Sequence, residues 1–404
     1  MKSFYKLSNQ IRDYAWGDSH YIPDFLGVEN PEGKPFAEMW MGAHPQAPSH
    51  IDEMGSLNLS DFISAHEIDT LGPDISRDYG RLPYLFKLLA AGESLSIQAH
   101  PSKKMAEDGF KREDNAGIPR DAPERNYRDD NHKPEIIMAI TEFTAMIGFR
   151  KPADILSSFS EFREIGKLKD LLRRVENAVK IDPSDALRDF FEGILSLDEQ
   201  TTHKLLDSAC DISCDVRSCW DILQRKWVSH LASSFPGDIG ALAPLFLHVA
   251  VLQPGEALYQ PARTLHAYLD GFGLELMANS DNVLRGGLTK KHIDIPELMK
   301  VLKFESSIPG ILRPEGYDSS GIRYFKTPTR EFSLGLADFN KDKSLSLPSK
   351  SGPKIILNLE GKLLLKDGVS QLKLHRGESA FIPWKAESII ISGSGRVAFA
   401  GVNR

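Results

Sequence analysis

The chain is poor in cysteine, with three in 404 residues. Three thiols cannot build a paired disulfide framework, which argues for a reducing compartment over a secreted one. Long apolar runs are also missing. The longest, residues 241–252, contains Pro244 and His248, whereas a membrane helix needs about 18 apolar residues or more. Residues 1–17 show no basic stretch leading into an apolar one, so no signal peptide is expected. Positive charge is not in excess: 49 basic against 56 acidic residues leave a net charge of -7. That balance argues against a binder of nucleic acids or membrane surfaces. Gly271-Phe272-Gly273 has Leu276 where a dinucleotide loop needs its third glycine. Walker, His-Glu-x-x-His and Gly-x-Ser-x-Gly motifs do not occur. A hydrophobic content of 41% excludes a disordered chain. The length suits two or three domains. The expected protein is cytoplasmic, without nucleic-acid or membrane partners.

What is present is unevenly distributed. Glycine and proline number 31 and 24, yet only Pro152, Gly166, Pro183 and Gly193 fall between Lys151 and Phe235. Both residues interrupt helices and build turns, so this segment is expected to be helical and its flanks β. Leu168, Leu171, Leu172, Val175 and Val179 recur at helical spacing. Asp182-Pro183 reads as a helix start. Cys210, Cys214 and Cys219 lie in the same segment. Their spacing fits no common zinc pattern, so they are expected to be small buried thiols. The C-terminal part from about Arg323 alternates polar and apolar residues between frequent turns, as a sandwich or barrel does.

Residues 255–278 align without gaps with residues 377–400. Gly255, Glu256, Pro261, Gly271, Gly273 and Ala278 fall on Gly377, Glu378, Pro383, Gly393, Gly395 and Ala400. Four of these six identities are glycine or proline, so the match is to a backbone plan. The pattern resembles the second half of a cupin jelly roll. His266 of the first copy becomes Ser388 in the second.

Candidate chemistry gathers in four places. Gln98 and His100 are two apart and leave one face of a strand. Lys133 and Glu135 are also two apart and precede the apolar stretch Ile136–Ile140. A carboxylate facing a barrel interior is costly unless paired or metal-bound; a solvated turn is the bland alternative. His266 is either a ligand or a buried hydrogen-bonded histidine. Together Gln98, His100, Glu135 and His266 make a nitrogen and oxygen set suited to zinc, iron or manganese. A fourth protein ligand fills a position that oxygen chemistry needs open, which favours a Lewis-acid metal. Arg285 beside Gly286-Gly287 can approach a substrate closely. Lys87, Ser96 and Lys291 suit a phosphate, though each alone reads equally as a solvated surface group.

The chain resembles the type I mannose-6-phosphate isomerases, also called phosphomannose isomerases, of the cupin superfamily. Six blocks in order carry the likeness. They are Tyr14-Ala15-Trp16-Gly17; Glu38 to Pro45; Leu85-Phe86-Lys87 with Leu95 to Pro101; Asp130 to Glu135; Leu265 to Leu269; and Asp281 to Thr289. Leu284 and Gly287 depart from the commonest family residues. The resemblance implies a mainly β fold with an α-helical insert. A cupin catalytic domain spans 1–150 and 236–320, a helical domain 151–235, and a smaller cupin-like C-terminal β domain without metal ligands 321–404. It also implies one zinc ion on Gln98, His100, Glu135 and His266, and interconversion of mannose 6-phosphate and fructose 6-phosphate through an enediol. Arg285 becomes the catalytic arginine. Lys133 is the first choice of carbon base and Glu275 the alternative. His132 and Asp281 would move protons between sugar oxygens, Trp16 and Tyr268 would wall the sugar, and Lys87, Ser96 and Lys291 would hold the phosphate. A cupin Fe(II) oxygenase and a non-catalytic sugar-phosphate binder are the competing readings.

Overall fold

The computed structural model describes residues 1–55, 57–316, 318, 321–340 and 344–403. The glycine- and proline-poor segment is helical. Its longest helices are Gly166–Val179, Pro183–Leu195, Glu199–Cys214 and Ile222–Ser234. Asp182 caps the second of these by accepting from the Ser184 amide, with Pro183 in the first turn. Leu168, Leu171, Leu172 and Val175 are buried, as are Phe190, Phe191 and Ile194 on the neighbouring helix. Phe190 and Phe191 pack on Phe246, and Phe191 on Phe149, which fastens the helices to the barrel. The three cysteines correct the sequence expectation, because all are free and exposed. Cys210 and Cys214 sit on the exposed side and at the end of helix Glu199–Cys214, where apolar Leu205, Leu206 and Ala209 already fill the buried side, and Cys219 lies in the link to helix Ile222–Ser234.

The β part forms two antiparallel sheets of eleven and ten strands. The centre of the first is the strand His266–Ala278, which pairs with Tyr84–Ala91, Ile97–Ala99, Glu135–Ala139 and Phe143–Phe149. One strand serving four neighbours must bend. It bends beyond Tyr268, where its register slips against Phe143–Phe149, and at Gly271, whose φ is 122°. A Cβ on Gly271 would lie 2.6 Å from the Glu142 carbonyl oxygen. Gly271→Ala is therefore expected to cost about 1–3 kcal/mol. A lower urea midpoint at unchanged slope is the measurement that checks it.

The sequence repeat is a repeat of structure. Strands Ala257–Gln260 and Ser379–Ile382 lie at the alignment's offset. Gly393, the counterpart of Gly271, also has positive φ, at 135°. Glu256 accepts from the Gln253 amide at 2.9 Å, and Glu378 from the His375 amide at 2.7 Å. Gln260 pairs with Glu135, whereas Ile382 pairs with Lys354. Lys354 and Ser388 thus stand where the first barrel has Glu135 and His266. Sheet membership crosses one expected boundary. The strand Tyr5–Ser8, placed with the catalytic domain from sequence, pairs with Ser379–Ile382. Strand pairing between residues more than 370 positions apart leaves no local signal. The described residues include no helix long and apolar enough to cross a membrane.

Candidate active site

His100, Glu135 and His266 converge, with one potential ligand atom from each lying within 4.8 Å of the others. Glu135 opens its strand opposite Met277, and His266 opens the antiparallel strand opposite Gln98, so the bend in His266–Ala278 is what lets the two side chains meet. His100 Nε2 lies 3.4 Å from Glu135 Oε1, and His266 Nε2 lies 3.4 Å from Glu135 Oε2. Each side chain is only 1% exposed. His100 Nδ1 donates to the Asn282 carbonyl at 2.7 Å, and His266 Nδ1 to the Thr264 carbonyl at 3.0 Å. A carbonyl only accepts, so both rings carry their proton on Nδ1 and turn an Nε2 lone pair inward. Both Nε2 atoms and Glu135 Oε2 are buried without a hydrogen-bond partner. Three orphaned donor atoms aimed at one point fit a divalent cation, which resolves a desolvation cost that nothing else in the cluster offsets. Gln98 is the cross-strand partner of His266 and of Arg285. Directly paired residues on one face have Cβ atoms about 4.5–5.5 Å apart, so Gln98 stands beside the cluster. No second group of this kind occurs among the described residues.

Burial, with Lys133 nearby, pushes the His100 imidazole down to about 4. It therefore stays neutral and able to ligate at physiological pH. In the unfolded chain it protonates near 6.5. Between those values the unfolded state binds more protons, so stability of the metal-free protein should fall as pH drops from 6.5 toward 4. Urea midpoints measured at pH 7 and pH 5 check this, and His100→Gln should shrink the difference. Burial opposes charge on Glu135, but Lys133 and His100 outweigh it and hold the carboxyl well below its usual range.

A cationic group flanks the cluster. Burial and then Arg128 push the Arg285 guanidinium down, and burial, Arg285 and Arg128 do the same to Lys291. No carboxylate acts on either, so Arg128, Arg285 and Lys291 form a mutually repelling set that an anion would relieve. Arg128 was missed from sequence; its neighbourhood with Asp129-Asp130 read as a solvated turn. Ser96 is half-buried, two residues before Gln98. Lys87, expected from sequence to hold phosphate, is paired with carboxylates. Its amine lies 2.9 Å from Glu275 and 3.3 Å from Glu38, nearly buried. Burial favours the neutral amine, but the two carboxylates prevail and raise its pKa. With two carboxylates against it, this amine has no charge to spare for an anion.

The remaining candidates surround these groups. Lys133 Nζ lies 3.0 Å from Glu135 Oε1. Glu275, raised by burial, accepts from the Tyr268 hydroxyl at 3.0 Å. Trp40 Nε1 donates to Glu38 at 2.6 Å, which extends this buried network to the motif Glu38 to Pro45. Trp16 packs against the cluster that contains Tyr268. His132 Nε2 meets Glu331 Oε1 at 2.6 Å. Asp281 accepts from Gln46 Nε2 at 2.8 Å and lies 3.7 Å from His44 Nε2. Asn282, also missed, holds the assembly together. Its Oδ1 accepts from the Arg128 amide, its Nδ2 donates to Asp129 and Asn131 carbonyls, and its own carbonyl orients His100. Its signal, an Asn in the block 281–289, was visible but has no chemistry of its own.

A buried two-histidine, one-carboxylate cluster within a jelly roll, beside a group of cations, defines a metal-dependent cupin for an anionic substrate. Residues 4–152 match the family model of the phosphomannose isomerase type I catalytic domain. The chain is 37% identical to mannose-6-phosphate isomerase of Escherichia coli (strain K12), covering 97% of this chain and 98% of that protein. It is 32% identical to mannose-6-phosphate isomerase 1 of Arabidopsis thaliana, covering 98% and 94%. It superposes on the Salmonella typhimurium mannose 6-phosphate isomerase bound to fructose 6-phosphate and zinc with a TM-score of 0.90. That pair is 36% identical over 100% of both chains. The chain belongs to the type I phosphomannose isomerase family.

Proposed function

We propose that this chain is a zinc-dependent aldose–ketose isomerase interconverting mannose 6-phosphate and fructose 6-phosphate. The observation that carries the reading is the trio of orphaned buried donors on His100, Glu135 and His266 in a chain of this family. Gln98, His100, Glu135 and His266 would hold the ion, and zinc when bound supplies Lewis acidity at the sugar oxygens. The substrate phosphate is drawn by Arg128, Arg285 and Lys291, whose repulsion it relieves. Arg285 faces Gln98 across the strand ladder, so its fixed charge stabilises the oxyanion of the enediol. Lys133, beside Glu135, takes the proton from C2 of the aldose and returns it to C1 of the ketose. A second proton passes from O2 to O1. His132 and Asp281 move protons between oxygens, including those of ring opening. Trp16 and Tyr268 wall the sugar and exclude water. Glu275, bound to Tyr268 and Lys87, is the alternative base.

The proposed enzyme is a monomer of the cytoplasm, a compartment that three free cysteines fit. A coupled assay of mannose 6-phosphate conversion tests the reading. Activity should vanish with a chelator and return with zinc. Oxygen uptake, or binding without turnover, would favour an oxygenase or a sugar-phosphate binder instead.

A further inference from the structure

The smaller barrel meets the candidate residue His132 through the side chain of Glu331. Glu331 lies between the strands Arg323–Tyr324 and Ser333–Phe339, far from residues 130–135 in sequence. Its Oε1 is 2.6 Å from His132 Nε2, and the two side chains are 13% and 25% exposed. The loop carrying it is pinned from two sides. Asn403 Nδ2 donates to the Thr327 and Thr329 carbonyls, and the Asn403 amide to the Arg330 carbonyl. Thr329 Oγ1 meets the Tyr259 hydroxyl at 2.7 Å, which ties the loop to a strand of the first barrel. Phe332, next in the chain, is fully buried.

We propose that Glu331 is a positioning residue for His132, by which the C-terminal barrel takes part in the proton transfers of the isomerase described above. A carboxylate accepts only, so it fixes the proton on Nε2 and leaves the Nδ1 lone pair for the sugar. It also stabilises the imidazolium formed when that lone pair takes a proton. The proton later returns from Nδ1 to a sugar oxygen, so the residue ends as it began. The proposal rests on the isomerase reading and on a role for His132 within it.

The test is a double-mutant cycle on the zinc-loaded full chain. Glu331→Ala should lower kcat about 10–100-fold, with KM within about twofold and full zinc content. Glu331→Gln should keep part of the loss at bay, since its carbonyl oxygen still accepts from Nε2; it also serves if the alanine variant folds poorly. In the His132→Ala background, Glu331→Ala should add nothing. Wild-type kcat in the Glu331 variants, wild-type kcat in His132→Ala, or losses that multiply would each overturn the proposal. A wild-type enzyme that does not convert mannose 6-phosphate would sink the isomerase reading instead.

Discussion

His266→Ala should lose its metal and at least about 10³-fold in kcat, as expected when several kcal/mol of Lewis-acid stabilisation disappear. The site explains why no neighbour compensates. His266 Nε2 is one of three orphaned donors, and its Nδ1 is already held by the Thr264 carbonyl. Truncation leaves Glu135 Oε2 facing an empty volume with no histidine 3.4 Å away. The fold should survive, because copy two of the repeat builds the same strands with Ser388 at this position. Zinc content by metal analysis, circular dichroism and the coupled assay separate the outcomes. Full activity with zinc retained would remove His266 from the ligand set. Unfolding would mean that the side chain is structural.

Arg285→Ala has the second largest expected effect, about 10²–10³-fold in kcat, the range seen for loss of an oxyanion-stabilising donor. Here the metal should stay, because Arg285 contributes no ligand. KM should also rise, since the Arg128, Arg285 and Lys291 set loses one charge. Arg285 pushes the Lys291 amine down, as burial does, so the variant should raise the Lys291 pKa. Arg285→Lys should recover part of kcat, limited by the loss of the planar fork. Zinc lost together with activity would assign Arg285 a structural role. An unchanged kcat with KM raised would restrict it to phosphate binding.

The ligand trio was legible because strand periodicity is local. Residues two apart share a face, and the repeat showed that His266 is dispensable to the backbone plan. The cation set was only half legible. Lys291 and Arg285 were named, whereas Arg128 emerged only when Asn282 drew its loop across the barrel. The ion pairs of Lys87 were not legible because Glu38 and Glu275 lie on other strands, and pairing across a sheet is invisible to composition. The cysteines were misread for the opposite reason. Small thiols are usually buried, but helix Glu199–Cys214 had enough apolar residues to fill its inner side without them.

The sequence by itself determined the helical insert, the two β units and their common turn plan, and the two histidines and the glutamate of the cluster. Each rests on local spacing and composition, where backbone geometry decides which side chains share a face. The tertiary structure decided which polar atoms lose water, which charges find partners, and which barrel reaches which site. The orphaned Nε2 atoms, the ion-paired Lys87 and the Glu331–His132 contact all belong to that second kind. Desolvation and charge pairing depend on separation in space, and the fold brings His132 and Glu331 together from 199 positions apart.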